Sequence, residues 1–97
     1  EEVGGRYYYS RVDTQFPPEK RPLAKARLDA ATVDEVVGLK VIRYDTMDGY
    51  KFYLDDGGFL LIRFSGTEPI VRVYTETTHP ELVAAILDAG LEIAGLK

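Results

Sequence analysis

The chain contains no cysteine. A disulfide framework and a thiolate metal site are therefore both excluded, and the absence fits a reducing cytoplasm, the expected location. No apolar run reaches the roughly 18 residues that a membrane span needs. The opening EEVGGRYYY lacks the basic segment and apolar stretch of a signal peptide, so neither feature is expected. Positive charge is also short. Twelve Lys and Arg against 16 Asp and Glu leave a net charge of −4, which disfavours broad binding to nucleic acid or an anionic membrane. Neither is an expected partner, and any anion site must be local. The single histidine, His79, stands at the start of a helix pattern, where a general-base role has little to support it. The acidic turns at Asp45 to Asp48 and at Asp55-Asp56 lack the spacing of a calcium loop and read as solvated turns. No repeat or low-complexity tract is present.

What remains is 97 residues, 45% hydrophobic and 29% charged, a composition that suits one globular domain over 1–97. A chain of this length buries only about 60 to 70% of its unfolded surface, leaving room for one sheet and a helix or two. Residues 1–38 read as an entering strand (RYYYSRVD, from Arg6), a peripheral helix (EKRPLAKARLDAA) and a connector (ATVDEVVG). Pro22 is tolerable in the first turn of that helix, and Leu23, Ala26, Leu28 and Ala30 form its thin apolar face. The consecutive tyrosines 7 to 9 suit strand or interdomain packing more than stacking on bases or sugars.

Residues 39–97 carry the stronger pattern. LKVIRYDT, YKFYLD, FLLIRF and IVRVYTET alternate as strands, separated by Asp48-Gly49, by Asp55 to Gly58 and by a Ser-Gly-Thr loop. Thr78 and Glu81 have capping-box spacing before a helix whose stripe runs Leu82, Val83, Ile86, Leu87, Gly90, Ile93, Ala94. Gly90 costs that helix about 1 kcal/mol against alanine, which close approach to the sheet would justify. The expected fold is α+β, a four-stranded antiparallel meander with helices on one side.

Alternation also fixes which strand residues share a face. Leu60, Ile62 and Phe64 oppose Leu61 and Arg63, while Val71, Val73 and Thr75 oppose Arg72, Tyr74 and Glu76. If the loop spans Ser65 to Ile70, Arg63 and Arg72 are direct cross-strand neighbours. Like charges so placed destabilise a pair by a few tenths to about 1 kcal/mol. An anion between them would reverse that. Ser65-Gly66-Thr67 could supply hydroxyl donors, a positive φ at Gly66 and a concavity of amides, and arginine adds a bidentate fork. The plain alternative is a charged hairpin whose arginines are neutralised by Glu68 or Glu76.

The run Arg63-Phe64-Ser65-Gly66-Thr67-Glu68-Pro69, continuing through Arg72-Val73-Tyr74 and Glu76, resembles the phosphate-binding loop of the C-terminal domain of α-D-phosphohexomutases, the phosphoglucomutase and phosphomannomutase family. The likeness is specific from Leu39 to Leu96 and weaker before. It implies that Arg63, Ser65, Gly66 and Thr67 contact a substrate phosphate, that Glu68 and Pro69 shape the loop at 63–69, and that Arg72 supports it. Phe64 departs from the family, which often has proline or a small residue there, and this bears on loop rigidity. The resemblance also implies a fold of the TATA-box-binding-protein type and a hexose phosphate as ligand. The parent enzyme would move a phosphoryl group between the 1 and 6 positions of the hexose by means of a phosphoserine and magnesium. Neither a Ser-His-Asn-Pro segment nor an Asp-Gly-Asp loop occurs here. The implied catalytic residues, the magnesium site and the remaining partner surfaces therefore belong to other domains, and this domain alone is expected to be inactive, with no cofactor of its own. A second reading is a free-standing phospho-ligand binding module.

Overall fold

The computed structural model describes residues 7–47 and 49–97. Arg6 of the tyrosine-rich segment and Asp48 of the Asp-Gly turn lie outside the described residues. Six strands form one antiparallel sheet. They are β1 (Tyr8–Gln15), β2 (Glu35–Val36), β3 (Leu39–Asp45), β4 (Tyr50–Leu54), β5 (Phe59–Phe64) and β6 (Ile70–Thr77), in spatial order β1-β6-β5-β4-β3-β2. Helix α1 (Arg21–Asp29) lies between β1 and β2, and α2 (Val83–Ala94) closes the chain; each is entered through a short 3-10 turn.

The expected four-strand meander is present as β3 to β6, but it is not the whole sheet. The tyrosine-rich segment pairs along the length of β6, from Tyr8↔Thr77 to Gln15↔Ile70, and so covers an edge that the meander would leave open. The supposed connector contributes β2, whose Val36 is buried and pairs with Leu39. Between them Val37 and Gly38 take φ values of 44° and 90°, the two positive values that a tight two-residue hairpin requires. Valine is poorly suited to that region, where a side chain beyond glycine costs about 1 to 2 kcal/mol. Val37→Asn is therefore expected to raise stability by about 1 kcal/mol and the thermal midpoint by roughly 4 to 8 °C. An unchanged or lower midpoint in a calorimetric scan would show that the turn is not strained.

One face of the sheet is the core. Phe52, Leu54, Leu60, Ile62, Val71 and Val73 are fully buried on it, and Ile86, Leu87, Leu91 and Ala94 of α2 pack against them. Gly90 permits this contact. A Cβ there would sit 2.9 Å from Val73 Cγ1 and 3.0 Å from Leu60 Cδ1, so the helical penalty of glycine is offset by close packing. Helix α1 is less peripheral than its thin stripe suggests. Its buried residues are Ala24 and Leu28, one turn apart, whereas Leu23 is 68% exposed.

Two local expectations at the sheet ends are corrected. Thr78 does not cap α2, and no side-chain cap bond forms at either the 3-10 turn or the helix. Its amide and hydroxyl instead donate to Asp56 Oδ2, at 2.9 and 3.2 Å. Asp56 is accordingly no solvated turn residue. It also accepts from the Thr77 hydroxyl at 2.6 Å and from the Gly58 amide at 2.8 Å.

Candidate functional site: the loop between β5 and β6

Strands β5 and β6 bury Ile62 and Val73 opposite each other, so the residues one step toward the loop must emerge on the other face. The register puts Arg63 directly opposite Arg72, and the Ser65 amide donates to the Ile70 carbonyl at 3.0 Å to close the loop. The juxtaposition inferred from alternation is thus the one observed. Neither Glu68 nor Glu76 neutralises the pair. Arg72 instead faces Asp13 of β1, with Nε 3.8 Å from Oδ2, and Asp13 is shared with Arg11 at 3.4 Å. Arg63 is exposed and has no ion-pair partner among the described residues.

Arg63 rests on Gly49. That glycine has φ 132°, and a Cβ on it would lie 2.7 Å from Arg63 Cγ and 2.9 Å from the Ile62 carbonyl oxygen. Gly49 therefore seats the arginine, a role that a turn signal in the sequence does not disclose. Shallow clefts of about 290 and 300 Å³ flank Arg63, one beside Lys51 and Tyr53, the other beside Lys25 and Tyr50. Burial, and after it the nearby Asp29 carboxylate, raises the Tyr50 pKa. Its phenol stays neutral at physiological pH, suited to donating a hydrogen bond rather than removing a proton.

Within the loop, Ser65 is buried while residues 66–69 are exposed. The Ser65 hydroxyl oxygen accepts long bonds from the Thr67 amide at 3.4 Å and the Glu68 amide at 3.3 Å. These amides converge on an oxygen, as a concavity for an anion would require, and a phosphate oxygen could compete for donors held so loosely. Gly66 behaves otherwise than expected. It does not take a positive φ, and a Cβ there would meet nothing within 4 Å. The space beside it is open, and its backbone is not left-handed.

The far side of the loop is tied to Phe16, just after β1, and to the first residue of α1, which the sequence pattern did not indicate. The Phe16 amide donates to the Pro69 carbonyl at 3.0 Å, and Arg21 Nη2 donates to the Glu68 carbonyl at 2.8 Å. Phe16 and Phe64 meet edge to face at 5.7 Å, with Phe64 also against Tyr50 at 6.4 Å. Phe64, the departure from the family pattern, is thus an anchor for the start of the loop. His79 lies away from it, 3.7 Å from Glu81.

The description "Phosphoglucomutase/phosphomannomutase, C-terminal domain" belongs to a family model that matches residues 16–93, and the chain belongs to that family. The match extends the likeness forward from Leu39 to Phe16, taking in α1 but not β1. The chain is 34% identical over 79 residues to a phosphoglucomutase/phosphomannomutase of Thermococcus kodakarensis, covering 81% of this chain and 17% of that protein. It is 35% identical over 80 residues to a phosphoglucosamine mutase of Chelativorans sp., covering 82% and 17%. Similarity to a phosphopentomutase of Thermococcus kodakarensis is 32% over 69 residues, 71% and 15% of the two chains. The chain therefore spans about a sixth of the length of these relatives.

Proposed function

We propose that this chain is the substrate phosphate-binding domain of a phosphoglucomutase/phosphomannomutase-type enzyme, with the phosphate held by Arg63, Ser65, Gly66 and Thr67. Arg72 lends support, and Glu68 and Pro69 shape the loop. The observation that carries this is the pairing of Arg63 with Arg72 at the mouth of the loop, where Arg63 has no acidic partner among the described residues. A cation set beside another, with no acidic partner among the described residues, carries a cost that a dianion would remove. The named relatives point the same way. Their names differ in the sugar, glucosamine or pentose among them, yet they share this domain. The group common to such substrates is the phosphate.

In this proposal either end of a hexose phosphate presents the same dianion to one fixed clamp, while phosphoryl transfer between C1 and C6 takes place against other parts of the parent chain. The clamp contributes position and electrostatics. Among the described residues no group of three or more His, Cys, Asp or Glu is gathered to hold a metal ion. In this proposal the magnesium of such chemistry belongs to another domain. A sheet-and-helix fold of the TATA-box-binding-protein type and a cytoplasmic setting complete the proposal. No helix among the described residues is long and apolar enough to cross a membrane.

Titration of the ¹⁵N-labelled chain with inorganic phosphate, glucose 1-phosphate and glucose 6-phosphate tests the site. The largest amide shifts are expected at Ser65, Gly66 and Thr67, of similar size for both sugar phosphates. Shifts confined to the helices or to the β2 edge would place the ligand elsewhere and end the assignment.

A further inference from the structure

Arg21 stands first in α1, forty-seven positions from the carbonyl that it grips. Its guanidinium donates to Glu68 O at 2.8 Å and lies 5.9 Å from the Phe16 ring and 5.6 Å from the Phe64 ring. A cation so placed between two aromatic faces is held in one orientation by packing as well as by charge. The Glu68 carbonyl also accepts the Ile70 amide at 2.8 Å, closing a three-residue turn around Pro69. Both acceptor directions of that carbonyl are thus engaged on the α1 and β6 side, while the Glu68 amide, in the preceding peptide plane, donates to the Ser65 hydroxyl.

We infer that Arg21 is a positioning residue for the phosphate loop. By fixing the Glu68–Pro69 peptide plane it keeps the Glu68 carbonyl out of the anion site. A carbonyl rotated into that site would set a negative dipole against the dianion, so fixing the peptide plane matters more for affinity than for the sheet. The inference rests on the phosphate reading of the loop. It adds a residue outside the 63–69 motif, placed by a different element, and it explains the pairing of Phe16 with Phe64.

The test compares Arg21→Ala, Arg21→Lys and the charge control Lys20→Ala, each titrated with inorganic phosphate by amide shifts. Arg21→Ala is expected to weaken binding about fivefold, the effect of one ordinary hydrogen bond. Arg21→Lys should recover part of that loss, and Lys20→Ala should change affinity less than about twofold, as a screened surface charge does. Without phosphate, Arg21→Ala should shift the Thr67 and Glu68 amides while leaving those of β4 in place. Wild-type affinity in Arg21→Ala, or an equal loss in Lys20→Ala, would overturn the positioning role. If the unaltered chain shows no shift at Ser65 to Thr67, the phosphate reading itself fails and takes this role with it.

Discussion

Arg63→Ala is expected to weaken phosphate binding by roughly 10- to 150-fold, and to leave the fold as stable as before or slightly more so. The first part follows from losing charge-assisted hydrogen bonds worth about 1.5 to 3 kcal/mol, at about 1.4 kcal/mol per decade. The second follows from the register. Arg63 lies opposite Arg72 with no acidic partner among the described residues, so its removal relieves like-charge repulsion of a few tenths to about 1 kcal/mol. Affinity and stability should thus move in opposite directions, which a residue with a merely structural role would not do. Arg72→Ala makes the contrast, because Arg72 faces Asp13 at 3.8 Å and already has part of its charge answered. Its loss of affinity should be several-fold smaller. Isothermal titration with sugar phosphate, paired with thermal melts, reads both quantities. Unchanged affinity in Arg63→Ala, or a midpoint that falls in step with affinity, would remove Arg63 from the clamp. In a parent mutase the same substitution should depress turnover while circular dichroism stays unaltered.

That juxtaposition was legible in the sequence because it depends on a local property. Strict alternation in FLLIRF and IVRVYTET fixes two faces, a short loop fixes the register, and the cross-strand pair follows. The face of α2 was legible for the same reason, since Ile86, Leu87, Gly90 and Ala94 repeat with helical period. Distant pairing was not. Nothing within RYYYSRVD says that it will lie along β6, and a two-residue strand such as β2 is too short to carry a pattern. In α1 the thin stripe included Leu28 but not Ala24, because a small alanine adds little to a periodic pattern. Arg21, Asp13 and Gly49 act through partners far along the chain or through the space that they leave. One signal was available: Thr75 and Thr77 occupy inward positions of β6 and are fully buried. A hydroxyl at such a position needs a partner. Thr75 donates to the Phe59 carbonyl at 2.8 Å, and Thr77 to Asp56.

Asp56→Ala is expected to cost the fold much of its stability, because this carboxylate joins the β4–β5 turn to the end of β6. Oδ2 accepts from the Thr77 hydroxyl and from the Thr78 amide and hydroxyl, and Oδ1 accepts from the Gly58 amide. The Thr77 side chain has no exposure to water, so its hydroxyl would lose a donor bond that solvent cannot replace. The backbones are also closely apposed there, since Gly58 lies against the Glu76 carbonyl with no room for a Cβ. Bonds to a charged acceptor are worth about 1.5 to 3 kcal/mol and an orphaned buried group costs about 1 to 3. With the carboxylate partly exposed, a net loss of about 2 to 3 kcal/mol is expected. For a domain of this size that lowers the thermal midpoint by roughly 8 to 24 °C. Asp56→Asn should fall between, since an amide has one accepting oxygen and a neutral group accepts less strongly. The dependence on pH separates this lock from simple packing. Burial alone would raise the Asp56 pKa, but the bonds from Thr77, Thr78 and Gly58 outweigh it and hold the carboxyl below its ordinary value of 3.8. The ionised form is therefore the one that stabilises the fold. Its contribution is complete above the ordinary value and fades as pH falls through the depressed one. The stability gap between the unaltered chain and Asp56→Ala should stay constant from pH 7 to about 4 and narrow below that. A gap that is the same at every pH would mean that Asp56 acts by shape and not by charge.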